Sequence, residues 1–291
     1  MASRGIERTE LGEEASHESF LRHRRYRWLK IASIISVVAL LIYALTDPEP
    51  RHNGGTAYGY TLGTIGALLI LWLTMLGVRK RAMTRGRWSL KAWTSAHVYL
   101  GLSLIVIATL HTGFQFGWNV HTLAYALMMV VILSGIYGIA VYSTLPQELS
   151  DNRAELTKGQ MLDAVRKLDN QLQAAAQPLR SDDADMVLAS IGSDPFKGGL
   201  WARLTGRYPR CPNGRALAYL RDRMKSAASD ERVTLDVIIK LLERKAAALG
   251  RIRRHLRIRA MLEVWLFIHV PITFALIAAL TAHIISVFFY W

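Results

Sequence analysis

Residues 96–113 read AHVYLGLSLIVIATLHTG, and residues 268–284 read IHVPITFALIAALTAHI. Each stretch holds two histidines 14 residues apart in an otherwise apolar run: His97 and His111 in the first, His269 and His283 in the second. An α-helix rises about 1.5 Å and turns about 100° per residue, so 14 steps climb about 21 Å and fall about 40° short of four full turns. Each pair therefore lies on one face of its helix, with one histidine near each side of a hydrocarbon layer about 30 Å thick. Two such helices side by side couple their imidazoles at two depths, a geometry suited to two flat iron porphyrins, one above the other.

The surrounding sequence reads as membrane-spanning. Apolar windows recur at 29–46, 58–78, 93–113, 122–145 and 262–290, each long enough to cross a bilayer. Segments 58–78, 93–145 and 264–291 contain no Asp, Glu, Lys or Arg, and 52% of the 291 residues are hydrophobic. The fold class expected is all-α: a five-helix transmembrane bundle with a mainly helical cytoplasmic insert between helices four and five. The expected divisions are a tail at 1–28, helices one to four at 29–145, the insert at 146–261 and helix five at 262–291. Glu7, Glu10, Glu13, Glu14 and Glu18 precede the first apolar stretch, and no small-residue cleavage site follows it. That stretch is expected to remain as helix one rather than be removed as a signal.

Basic residues give an expected orientation. Residues 1–30 hold seven Lys or Arg, and the 79–91 loop holds Arg79, Lys80, Arg81, Arg85, Arg87 and Lys91. The 47–57 loop has only Arg51, and the 114–121 turn has none. The positive-inside rule then puts the N-terminus, the 79–91 loop and the insert in the cytoplasm, and Trp291 outside. The expected location is a bacterial inner membrane. The formal net charge of +14 follows from this bias and from arginines at headgroup level, so nucleic-acid binding is not implied. Cys211 is the only cysteine, which excludes an internal disulfide, a cysteine-ligated iron–sulfur cluster and a C-x-x-C-H haem attachment within the chain. Any haem is then non-covalent and held by histidine, as in haem b.

The insert is a different material, with 22 Lys or Arg against 14 Asp or Glu over 147–261. Helical periodicity is expected at 155–175 and from about 232. Gly198, Gly199, Gly206, Pro209, Pro212 and Gly214 argue for loops between. Arg251, Arg253, Arg254, Arg257 and Arg259 read as a headgroup-level extension of helix five. At about 115 residues the insert is long enough for a small core.

An ionisable side chain in hydrocarbon is a functional signal because placing it there costs free energy. The plainer reading of one such histidine is a hydrogen bond to a neighbouring helix, worth about 1 kcal/mol. Four in two equally spaced pairs favour ligation. Helices three and five run the same way, so the expected couples are His97 with His269 at the inner level and His111 with His283 at the outer. Ala96, Gly101, Ala108, Ala279 and Ala282 leave room near the ligands, and Pro271 suggests a kink. His121, in the outer turn, is a further cofactor-site candidate, for a haem propionate or a quinol proton, with an ordinary interfacial role equally open. Arg51 could neutralise an outer propionate but fits lipid-headgroup contact better, and Arg87, Lys91, Arg257 and Arg259 could do so at the inner side, most of them fitting orientation better. Tyr99, Trp93 and Trp265 fit an interfacial belt better than a quinone pocket. His17, His23, His52 and His255 are expected to be solvated.

The paired His-x13-His on two parallel helices resembles the core of the cytochrome b superfamily of quinol-oxidising complexes. Its placement on helices three and five resembles the ferric-reductase/NADPH-oxidase transmembrane domain. The resemblance covers about 55 residues around the ligands. It implies two haem b groups, with quinone as a further candidate. Two departures stand out: a long insert, and no flavin or nicotinamide domain or dinucleotide glycine fingerprint after helix five. An iron–sulfur, flavin or cytochrome protein docking on the insert or the outer face is therefore implied as redox partner.

The function expected is a di-haem b-type cytochrome subunit of a membrane oxidoreductase, passing electrons between a redox partner and quinone or another carrier across the bilayer. One alternative is a ferric-reductase-like donor to extracytoplasmic metal or oxygen. Another is non-redox: a histidine-based metal or proton transporter, which would more typically gather its ligands with carboxylates at one midplane site. A membrane scaffold without a cofactor of its own ranks lowest.

Overall fold

The computed structural model describes residues 20–49, 51–81, 89–143, 153–194, 196–209 and 211–289. The 1–19 part of the tail, Arg85 and Arg87, the expected helix stop before Pro146, and Trp291 lie outside the described residues. Every regular element among the described residues is helical, with no strand. Five helices are long and apolar enough to cross a membrane, the property of an integral membrane protein.

Four of them follow in order: α1 (His23–Leu45), α2 (Ala57–Arg81), α3 (Leu90–Thr112) and α4 (Val120–Ser143). Their ends follow local chemistry. The Ser89 hydroxyl caps α3 by accepting from the Ala92 amide at 3.2 Å, satisfying a donor that has no intrahelical partner. Gly113 ends α3 at φ +57°, and a Cβ there would run into the His52 carbonyl, so glycine is needed for conformation and for space. The Asn119 side chain then caps α4 by accepting from the Thr122 amide at 3.0 Å. Just inside the start of α1, Arg24, Arg25 and Tyr26 form one left-handed turn (φ 48°, 53° and 61°), and the Tyr99 hydroxyl donates to the nearby Leu21 carbonyl at 3.0 Å.

The remaining helices are α5 (Arg153–Ala176), α6 (Ser181–Leu188), α7 (Leu200–Thr205), α8 (Pro212–Ser226) and α9 (Ser229–Phe289). The last is one unbroken helix of 61 residues with Pro271 inside it. Helix five is therefore the end of a much longer element than its apolar window suggested. The Pro/Gly-rich middle also holds two helices where loops were expected. Pro212 opens α8 in the first turn, where a missing N–H deprives the helix of no bond.

Contacts divide the chain into two units, Met1–Gly135 with His269–Trp291, and Ile136–Ile268. The first has a core of Ile70, Leu73, Ala96, Leu100, Leu104, Met128, Ile132 and Leu276, continued by Ala39, Leu62, Ile107 and Leu110. Large apolar side chains also point outward, including Ile34, Leu41, Leu68, Leu133, Phe274 and Phe288. Such an inside-and-outside apolar bundle suits lipid rather than water as its solvent.

The second unit has an apolar core of its own. Leu172, Val187, Leu220, Leu235, Ile238 and Leu242 form its core, and its charges lie mainly outside. The exception is Lys245, fully buried, whose ammonium donates to the Asp169 carboxylate and the Ser190 carbonyl. Asp183, also buried, faces Arg223 at 3.6 Å, and Arg223 pairs with Glu231 at 2.8 Å. His255, expected to be solvated, has its Nδ1 enclosed here without a hydrogen-bond partner.

Breaking a buried pair is far more damaging than losing a surface one, because the charge left behind stays desolvated. Asp169→Ala is expected to destabilise the second unit by about 3 kcal/mol, read as a clear fall in the Tm of the detergent-solubilised protein. Asp163→Ala, which removes an exposed pair with Arg166, is expected to leave Tm within experimental error.

Candidate functional site

The four intramembrane histidines sit on α3 and on the last third of α9, within the first unit. All are half-buried. The rings of His111 and His283 lie with centroids 6.0 Å apart and planes at 79°. The His111–His283 contact joins α3 to α9 at one level.

What the sequence did not reveal is what holds each ring. The Nδ1 of His111 bonds the Gly59 carbonyl at 2.8 Å, and the Nδ1 of His97 bonds the Leu73 carbonyl at 3.1 Å. A carbonyl only accepts, so each neutral ring carries its hydrogen on Nδ1 and leaves the Nε2 lone pair open. The Nδ1 of His269 meets the Ser134 hydroxyl at 2.8 Å. That hydroxyl gives its own hydrogen to the Val131 carbonyl at 2.8 Å, so it accepts from the Nδ1 of His269. The Nδ1 of His283 bonds the Nδ1 of His121.

The partners come from two further helices. Gly59 and Leu73 on α2 are themselves 14 residues apart, matching His111 and His97 in reverse order. An antiparallel neighbour of α3 therefore brings one backbone acceptor to each level. On α4, His121 and Ser134 serve His283 and His269 in the same reversed order. His121 lies in the first turn of α4 rather than in the preceding loop, and its ring approaches His283 with centroids 4.5 Å apart. It was a candidate for another role; the structure gives it this contact.

Glycines admit the rings. A Cβ on Gly63 would lie 2.7 Å from Cε1 of His111, and one on Gly54 would lie 3.3 Å from it. Gly59 is tighter still, since a Cβ there would meet the Asn53 carbonyl and the Gly54 backbone. Gly135 faces His269 at 3.7 Å. Of the small residues singled out in the sequence, Ala96 and Ala279 are buried, whereas Ala282 is exposed.

Other candidates are engaged elsewhere. Trp93 stacks on Trp72 at 4.6 Å, Trp265 packs against Gly138, and Arg259 pairs with Glu263 at 2.9 Å. His52 is not solvated as expected: its ring stacks on Tyr43 at 3.8 Å, its carbonyl accepts from Gln115, and its Nδ1 is enclosed. Among the described residues, no three His, Cys, Asp or Glu side chains converge as ligands for a bare metal ion. No family model, curated protein or solved structure matches this chain.

The glycine contacts generate a paired prediction. Gly59→Ala is expected to destabilise the bundle by about 1–3 kcal/mol, the usual penalty of overpacking against a wall that cannot move. Gly66→Ala, whose Cβ would find Ile107 at an ordinary 3.8 Å, is expected to be neutral or slightly stabilising. Thermal unfolding in detergent compares the two; equal Tm values would contradict the packing described.

Proposed function

We propose that the chain is a di-haem b-type cytochrome, the membrane subunit of an oxidoreductase. It carries electrons across the bilayer between a redox partner on one face and quinone or another electron carrier on the other. One observation supports this reading: the rings of His111 and His283 face each other with centres 6.0 Å apart, and all four intramembrane histidines have Nδ1 held by a neighbouring helix. That is the state in which a histidine ligates a metal through Nε2, its other nitrogen fixed by a hydrogen bond.

The donor set fits haem b. His111 and His283, with ring centres 6.0 Å apart, would hold one haem between them. Each level offers two nitrogen donors, as a porphyrin iron requires. A bare transported cation would want a fuller ligand cluster than these pairs provide. His97 and His269 would hold one iron, and His111 and His283 the other. Bound there, haem b would supply a reversible one-electron change of iron valence.

The chain's own residues orient and tune. The Gly59 and Leu73 carbonyls and the Ser134 hydroxyl fix the tautomer of their histidines and raise the basicity of Nε2. We assign His121 the same duty toward His283, accepting its Nδ1–H. Leu100, Leu104 and Ile107 between the two levels keep water out. The basic residues favour an orientation with the N-terminus, the 79–91 loop and the insert in the cytoplasm. The insert would then be the docking face for an iron–sulfur, flavin or cytochrome partner.

The purified protein is expected to show a b-type α-band on reduction and two haems per chain by extraction. Colourless protein would end the proposal. His111→Ala and His283→Ala are each expected to halve the haem content and to remove the same wave from a redox titration. His97→Ala and His269→Ala are expected to remove the other wave. If His111→Ala and His269→Ala abolished the same wave, the coupling by level would be wrong.

A further inference from the structure

Residues 196–215 of the second unit contain Lys197, Arg203, Arg207, Arg210 and Arg215, with no Asp or Glu. Within this run, α7 presents two large apolar side chains to the outside: Leu200 is 54% exposed and Trp201 is 78% exposed. Lys197 and Arg207, on either side, are exposed as well. An outward tryptophan and leucine framed only by positive charge are poorly suited to water.

The position of this segment along α9 is well defined. Phe196 packs on the Val165–Leu249–Ile252–Leu256 cluster. The Arg253 guanidinium lies 4.3 Å over the Tyr208 ring and donates to the Cys211 thiol sulfur at 2.9 Å. A Cβ on Gly206 would sit 3.8 Å from Cδ of Arg257. From Arg257, α9 continues unbroken to Val264, seven residues on, where its charge-free apolar run begins. Seven residues climb about 10 Å. The headgroup layer on each side of the hydrocarbon is roughly 5–8 Å deep. The α7 segment is therefore clamped to α9 at the edge of the layer where tryptophan is enriched and where basic side chains meet lipid phosphates.

We propose that α7 and its flanks form a peripheral membrane contact, with Leu200 and Trp201 seated among the headgroups of an anionic lipid surface and Lys197 and Arg207 against its phosphates. This second anchor would fix the unit against the bilayer beside its own spanning helix. Its charge complementarity favours anionic over zwitterionic lipid. The proposal rests on α9 crossing the membrane and is independent of any cofactor.

The test uses the full chain in vesicles of phosphatidylcholine with or without phosphatidylglycerol. In a Cys211→Ser background, an environment-sensitive fluorophore is attached through Trp201→Cys or, as control, Lys225→Cys. Lys225 is exposed near the end of α8, where Arg223 pairs with Glu231, about 39 Å back along α9 from Arg257. Headgroup-level nitroxide lipids are expected to quench the label at position 201 at least about twofold more than the label at 225, more strongly when phosphatidylglycerol is present. Lys197→Glu with Arg207→Glu is expected to remove that dependence on lipid charge. In the native sequence, which keeps the tryptophan, amide hydrogen exchange over 200–205 is expected to slow when phosphatidylglycerol is added. A label at 201 that reads water in both vesicles overturns the proposal. So does one that is shielded without lipid quenching, which would mean that a protein or a second copy covers it, and so does exchange indifferent to lipid charge.

Discussion

An imidazole in hydrocarbon must give its N–H to an acceptor, and this requirement organises the spanning helices. Leaving the donor unmet would cost about 1–3 kcal/mol at each ring. The first unit meets it by surrounding the two histidine-bearing helices with two antiparallel neighbours. Helix α2 supplies the Gly59 and Leu73 carbonyls, and α4 supplies Ser134 and His121. Because a carbonyl only accepts, the same bonds choose which nitrogen of His97 and His111 stays open. Satisfying the backbone-like need for a partner and preparing a ligand are thus one act.

Close approach is the second half of that constraint. A ring reaches a neighbouring helix's carbonyl only where the neighbour has no side chain in the way. Gly63 on α2 fills this role at the His111 level, with Gly54 in the preceding loop. Helical carbonyls are normally occupied within their own helix, so the Gly59 and Leu73 oxygens use a second lone pair for histidine.

The two units answer opposite solvents. In the first, apolar side chains face outward as well as inward, and the polar groups turned inward include the histidine network together with Ser95 and Ser103. In the second, the core is apolar, the surface carries the charge, and a buried ammonium at Lys245 is neutralised by Asp169. Helix α9 contributes to both, and its sequence changes character accordingly. Basic residues crowd it up to Arg259, after which Glu263 is the last charge before the apolar run.

Hydrophobic windows and the absence of charge determined the five spanning helices from sequence alone, because backbone polar groups in lipid must be satisfied within a helix. Helical periodicity likewise made the equal spacing of His97–His111 and His269–His283 a statement about faces and levels. Helix α8 was hidden because Pro212 and Gly214 look like loop residues until one sees that they occupy a first turn. The acceptors for the histidines were hidden for a deeper reason. A backbone carbonyl leaves no residue-type signal, and Ser134 is one hydroxyl among many until α4 is packed. His121 and His52 show the same divide: their residue type was plain, yet one contacts His283 and the other stacks on Tyr43. His283 lies 162 residues from His121, and Tyr43 meets His52 only once the loop after α1 is folded, so the tertiary arrangement decided both.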